Sequence, residues 1–303
     1  MNYLQLGINT IAVNENKQAI FPWKRYQPEM ITDADLTAQM NDYRAKGVAV
    51  ICGAISGGLE VIDIDTKYET YPLWDAIKAK IPQLLYDKLH IVQTRSKGYH
   101  LYYRCEEIEG NQKLAQRPPT DTEVVNNPQI KSYCIIETRG EAGYVVAPPS
   151  DGYSIVQEGI NYITIDERTA LFEIMVSFNE IIIEVPIEAH NRPSSKEYGL
   201  SPFEDFNKRC DFVDLMERNG WKKVKNGGDR VYFLRPGGTS EQSGNYHKGL
   251  GLFIVFSANT PFEVSKGYKP AAVYAILEHN GDFKAAARAL LDLGFGEKKN
   301  LAS

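Results

Sequence analysis

Asp63 and Asp65 stand in Leu59-Glu60-Val61-Ile62-Asp63-Ile64-Asp65, a run that otherwise reads as a buried strand. Residues two apart on a strand point to the same side, so the two carboxylates face one way and Ile62 and Ile64 the other. Two like charges then lie about 7 Å apart between α-carbons, on a segment whose opposite face belongs in a core. A divalent cation relieves the repulsion, because Mg²⁺ or Mn²⁺ takes hard oxygen ligands. An acidic pair on the solvated face of a half-buried strand is the ordinary alternative, and Asp-x-Asp alone does not separate the two.

Two later stretches could complete such a site. In Thr94-Arg95-Ser96-Lys97-Gly98-Tyr99-His100-Leu101-Tyr102-Tyr103-Arg104 a strand-like run ends, a small basic loop intervenes, and a second strand opens. Gly98 permits a tight turn that exposes amides, while Arg95, Ser96 and Lys97 supply donors and positive charge suited to a polyphosphate. His100, Tyr102 and Arg104 would share one face beside the loop. The competing account is a solvated hairpin tip with a surface histidine. In the run from Ile135 to Ser150, Glu137 sits near the end of an apolar strand with Arg139 on its face. A third carboxylate of this kind would complete a cage for two cations roughly 3.5 to 4 Å apart, which clamp an attacking and a leaving oxygen. Otherwise Glu137 and Arg139 form a surface pair worth under about 1 kcal/mol.

The elements that must position these residues are short. Val48–Cys52, Leu59–Asp65, Leu89–Gln93, His100–Arg104, Tyr133–Thr138 and Tyr144–Val146 read as strands, bounded by Gly, Pro or polar clusters. Asp33–Lys46, Leu73–Leu89 and Asp166–Asn179 have helical spacing; Thr32 or Asp33 can cap the first, and Pro82 breaks or restarts the second. Pro-, Ser- and charge-rich residues 186–203 read as a linker between a first domain over 1–185 and a small α/β accessory domain over 204–297. In the latter, Phe206–Asn219 reads as one helix stopped by Gly220, Val231–Leu234 and Leu252–Phe256 as strands, and Pro270–His279 with Asp282–Leu293 as a closing helical pair. Lys222, Lys223, Lys225, Arg230 and Arg235, interleaved with Trp221, Tyr232 and Phe233, suit a single-strand contact surface as well as an ordinary basic face over core aromatics.

At 303 residues and 43% hydrophobic content the chain can build real cores, and its net charge of -5 argues nothing for nucleic acid. The balance is uneven: residues 1–203 carry 19 Lys/Arg against 27 Asp/Glu, and residues 204–303 carry 15 against 12. Cys52, Cys105, Cys134 and Cys210 form no CxxC pair, so neither structural zinc nor a disulfide framework is expected. No apolar run approaches a membrane span and no secretion signature opens the chain, which reads as cytoplasmic. The polar last residues leave room for a longer parent protein.

Taken in order, the segments carry a resemblance. Gly47-Val48-Ala49-Val50 through Gly53, Ser56-Gly57-Gly58-Leu59 and Asp63-Ile64-Asp65 resembles the first motif of bifunctional primase-polymerases of the archaeo-eukaryotic primase superfamily, in their phage or mobile-element form. Ser96-Lys97-Gly98-Tyr99-His100 is similar to the second motif, and Ile136-Glu137-Thr138-Arg139-Gly140 followed by Gly-Tyr-Val-Val-Ala-Pro-Pro-Ser to the third. The resemblance covers about residues 1–185. It implies an α+β catalytic domain, an RRM-like sheet with an additional small sheet, in which Asp63, Asp65 and Glu137 hold two Mg²⁺ or Mn²⁺ ions. It also implies that His100, helped by Ser96, contacts the nucleotide's phosphates; Lys97 and Arg139 are added here as basic partners for a triphosphate. One departure stands out: the family's third carboxylate is more commonly aspartate, and Glu137 is one methylene longer. The accessory unit resembles segments that follow the catalytic domain in such primases, at most a metal-free relative of a primase zinc ribbon.

The expected activity is template-directed nucleotidyl transfer, making and extending primers on single-stranded DNA from nucleoside triphosphates, with a helicase domain or protein as a further partner. The rivals are a sugar-nucleotide glycosyltransferase, which leaves His100 and Glu137 without a role, and a non-catalytic single-stranded-DNA-binding replication adaptor.

Overall fold

Leu59–Ile64 sets Glu60 and Asp63 among four apolar residues, yet five of its six residues are buried, because both faces of this strand are covered. The computed structural model describes residues 2–181, 183–185, 200–238, 242–256, 260–264 and 266–297. The chain divides into two compact units, Met1–Ile181 and Ile182–Ser303. The predicted linker falls almost wholly outside the described residues. In chain order the first unit comprises β1 (Thr10–Val13), α1 (Asp33–Met40), β2 (Gly47–Ile51), β3 (Leu59–Ile64), α2 (Leu73–Lys78), α3 (Gln83–Tyr86), β4 (His90–Gln93), β5 (Tyr99–Arg104), β6 (Lys113–Arg117), α4 (Asp121–Asn126), β7 (Tyr133–Arg139), β8 (Tyr144–Ala147), β9 (Ser154–Gln157) and α5 (Ile165–Val176).

These strands make two sheets, one of six strands in the order β6-β7-β3-β5-β4-β9 and one of three in the order β1-β2-β8, all neighbours antiparallel. Leu59, Val61 and Tyr102 on one face of the large sheet pack with Ile11, Val13, Val50 and Val145 of the small one. On the reverse face, buried Glu60 meets Arg168 of α5: the Arg168 Nε and Nη2 donate to its two carboxylate oxygens at 2.6 and 2.9 Å, and the Tyr103 hydroxyl donates at 2.6 Å. Burial alone would lower the Arg168 pKa, but the bonds to Glu60 and its charge raise it instead. The mixed helix-and-sheet class expected from the sequence is present.

One boundary differs from expectation, for a local reason. The helix expected to Lys46 stops at Met40 because the Asp42 carboxylate takes the Arg44 amide at 2.9 Å, a side-chain turn that competes with the helix. Pro82 does restart the second helical region, as the cap of α3.

The second unit comprises β10 (Ile183–Glu184), α6 (Pro202–Arg209), α7 (Phe212–Arg218), β11 (Lys222–Gly227), β12 (Arg230–Leu234), β13 (Gly244–His247), β14 (Leu252–Val255), β15 (Lys266–Tyr268), α8 (Pro270–His279) and α9 (Phe283–Asp292). Its strands form one sheet in the order β10-β15-β14-β13-β12-β11. The single helix expected over Phe206–Asn219 is two, since Cys210 is extended and the Asp211 side chain caps a new start at the Val213 and Asp214 amides. Trp221 and Phe233 lie in the core with Phe212 and Phe253, so neither is free to stack on a nucleic-acid base. Tyr232 remains half-exposed, with the Lys225 ammonium 4.9 Å from its ring centre. Among the described residues no helix is long and apolar enough to cross a membrane.

Removing one member of the buried Glu60–Arg168 pair strands the other's charge, so Arg168→Met is expected to cost about 3–5 kcal/mol in chemical denaturation, while Glu60→Leu combined with Arg168→Met recovers most of it. A second stability test concerns His90, fully buried at the start of β4, whose two ring nitrogens have no hydrogen-bond partner among the described residues. Burial pushes its pKa down to about 4. The unfolded chain therefore takes up that proton first, and stability is lost as pH falls from about 6.5 towards about 4. Relative to His90→Phe, the wild type should lose up to about 3 kcal/mol across that window, read from denaturation midpoints.

Candidate active site

β3 pairs on both sides, and its register sets Asp63 opposite His100 of β5 and opposite Glu137 of β7. The three side chains form a row across the large sheet, on the face that looks towards the small one. The His100 ring is buried and held at both nitrogens: Nδ1 lies 3.2 Å from the Tyr102 hydroxyl and Nε2 3.5 Å from Asp63 Oδ1. The Arg139 guanidinium donates to Glu137 in a short ion pair on the same strand.

The electrostatics of the row divide the carboxyls. Burial pushes Asp63 up, but the His100 ring beside it, Arg139 and Lys17 together hold it below the usual aspartate range. Burial also pushes Glu137 up; Arg139 opposes this and the Asp63 charge adds to it, so Glu137 ends above the usual glutamate range. Two carboxylates facing each other across a strand pair repel, and a positive charge between them would remove the penalty.

Asp65 does not join the row. The strand ends at Ile64, and Asp65 caps a short 3-10 turn, accepting from the Lys67 amide at 3.3 Å and pairing with the Lys67 ammonium at 2.9 Å. The Asp65 carboxylate is thus satisfied locally by Lys67, while its charge still reaches Glu137 and adds to the rise of that carboxyl. Among the described residues, no three His, Cys, Asp or Glu side chains already surround one ion-sized point.

The Ser96–Lys97 loop also sits elsewhere than expected. It is the exposed tip of the β4–β5 hairpin, with the Thr94 amide bonded to the Gly98 carbonyl at 2.8 Å and Ser96 Oγ 3.3 Å from Thr94 Oγ1. Neither Ser96 nor Lys97 lines the cleft beside Asp63. Gly98 is required for close approach, since a Cβ there would fall 2.3 Å from the Ile64 carbonyl oxygen. The first motif's Ser56 and Gly58 are scaffold as well: Ser56 Oγ accepts from the Asn9 amide and donates to the Ile51 carbonyl, and a Cβ at Gly58 would lie 2.2 Å from the Cys105 carbonyl oxygen.

A cleft of about 340 Å³ opens over Asp63 and His100, walled by Arg139 and Asn111 on one side and by Lys17, Trp23, Tyr144 and Tyr153 on the other. The second group escaped the sequence reading, because nothing in Lys17 or Tyr153 separates them from surface residues until the small sheet is folded over the large one.

Residues 1–174 match the family model for the bifunctional DNA primase/polymerase N-terminal domain. The chain belongs to this bifunctional DNA primase/polymerase family. No curated protein was found to match. Membership makes DNA and nucleotides the family's substrates and divalent-metal dependence its expectation. The donors fit a hard cation in part: Asp63 and Glu137 offer oxygen ligands at the point where their repulsion asks for positive charge, and Asp65 can contribute once its carboxylate leaves Lys67. In the metal-free protein, Asp63→Asn is expected to lower the Glu137 carboxyl towards its ordinary value, read by carbon-detected NMR titration. An unchanged Glu137 would show that the two carboxyls do not share a field.

Proposed function

We propose that the chain is a template-directed nucleotidyltransferase that synthesises and extends primers on single-stranded DNA, working in the cleft between its two sheets. The observation that carries this reading is the row His100, Asp63 and Glu137, set side by side by strand register in a member of the primase/polymerase family. A primase-like architecture, a catalytic sheet with a smaller one over it, accords with the six- and three-stranded sheets of the first unit.

Each residue's part follows from its surroundings. Asp63 is kept ionised by His100, Arg139 and Lys17, and Glu137 faces it, so this pair, with Asp65, would hold the divalent ions. When bound, such ions neutralise phosphate charge and favour ionisation of the attacking hydroxyl. The His100 ring is oriented by Tyr102 at Nδ1, so that its Nε2, now 3.5 Å from Asp63, would donate to a phosphate oxygen once that carboxylate turns to a bound cation. Arg139 balances Glu137 and adds positive charge to the same wall. In the second unit, exposed Lys222, Lys223 and Lys225 on the edge strand β11, beside Tyr232, suit a contact with the nucleic-acid backbone.

A primed single-stranded template with deoxynucleoside triphosphates and Mn²⁺ or Mg²⁺ should be extended by the wild type. Asp63→Ala combined with Asp65→Ala should reduce extension at least about 10²–10³-fold. Undiminished extension by that double variant would end the proposal.

A further inference from the structure

The turn after β1 carries a lysine where the backbone favours glycine. Lys17 has φ +64°, in the left-handed region that side-chain-bearing residues enter at a cost. The turn is fixed from several directions. The Asn14 amide bonds the Gln18 carbonyl at 2.9 Å, the Lys17 amide bonds the Asn14 carbonyl at 3.0 Å, and the Asn14 side chain accepts from the Asn16 and Gln18 amides. The Lys17 carbonyl accepts from the Tyr144 hydroxyl at 3.2 Å, which ties the turn to the cleft wall. Arg95, from the hairpin tip that the sequence suggested for phosphate contact, reaches the Glu15 carbonyl at 3.5 Å and so braces the same turn.

All this backbone machinery delivers one ammonium group to the cleft. Lys17 lines it together with Asp63, His100 and Arg139. Arg139 is committed to Glu137, whereas Lys17 has no ion-pair partner among the described residues and lies 5.9 Å from the centre of the Tyr153 ring, a weak contact. A cleft that holds an unpaired lysine together with Asp63, His100 and Arg139 is suited to a ligand that bears several negative charges and can bridge the cations and a metal held by the carboxylate.

We infer that Lys17 is the residue that grips the phosphate tail of the incoming nucleoside triphosphate, in the place the sequence had assigned to Lys97. The inference rests on the polymerase reading of the cleft. The shared chemistry is phosphate, and the triphosphate is favoured over the DNA backbone because the ammonium lines the same concavity as Asp63, which would hold metal, and His100.

The test replaces Lys17 with glycine, which suits the turn, and with arginine, which keeps the charge. Titration calorimetry with dGTP, dGMP and a short single-stranded oligonucleotide, each with Mg²⁺, supplies the binding readout, and thermal unfolding supplies the control. Lys17→Gly is expected to weaken dGTP binding roughly ten-fold or more, to change dGMP and oligonucleotide binding less than about two-fold, and to unfold no earlier than the wild type. Lys17→Arg should restore most of the dGTP affinity. Unaltered dGTP binding by the glycine variant overturns the inference while leaving the polymerase reading intact; so does an equal loss for the oligonucleotide, which would assign Lys17 to DNA, or a lowered unfolding temperature accompanying the loss. A wild type that binds no dGTP and extends no primer refutes the polymerase reading itself and the inference with it.

Discussion

Double-sided pairing of one strand is the constraint on which the site depends. β3 is hydrogen-bonded to β5 and β7 in registers that share Asp63 as their common partner, so His100 and Glu137 reach it from opposite sides without any loop having to find its place. A slip of one residue in either pairing would turn a member of the row to the reverse face, where Glu60, Ile62 and Ile64 are buried. The apolar alternation that builds the core and the placement of the polar row are therefore one requirement.

That requirement also explains why the reverse face tolerates a buried charge. Glu60 occupies an interior position on the same strand and is satisfied by Arg168 and Tyr103, with no water needed to complete its bonds. The strand thus carries charge on both sides, balanced by protein on one and left to face the cleft on the other. Glu60 is closed in a pair behind the strand, whereas Asp63 and His100 line the cleft in front of it.

Much of this was legible in the chain itself, because acidic residues interrupting apolar period-two runs at Asp63 and Glu137 are conspicuous, as is His100 after a glycine turn. What was not legible has physical reasons. Periodicity assigns Tyr144–Val146 to a strand but cannot say that it joins the small sheet and not the one carrying Asp63. The strand pattern runs on through Asp65, but a carboxylate with an amide two residues ahead is drawn to cap it. Glu60 shares a strand face with Ile62 and Ile64, and nothing near it in the chain announces its partner, Arg168, 108 residues later. Short polar strands such as Lys113–Arg117 and Lys222–Gly227 have too little apolar alternation to be seen, and form because a neighbour offers an edge.

The two sheets of the first unit touch through backbone as well as through their shared core: a bridge joins Gly53, just past β2, to Leu59 at the opening of β3. Asp63 lies four residues further along, roughly 13 Å away at strand rise. The bridge, with the packing of Leu59, Val61 and Tyr102 against Ile11, Val13 and Val50, therefore fixes the separation of the sheets at the root from which β3 runs out to Asp63. The width of the cleft over Asp63 is thus set by the same packed side chains that hold the two sheets together, so a change of volume among them would be felt at its mouth.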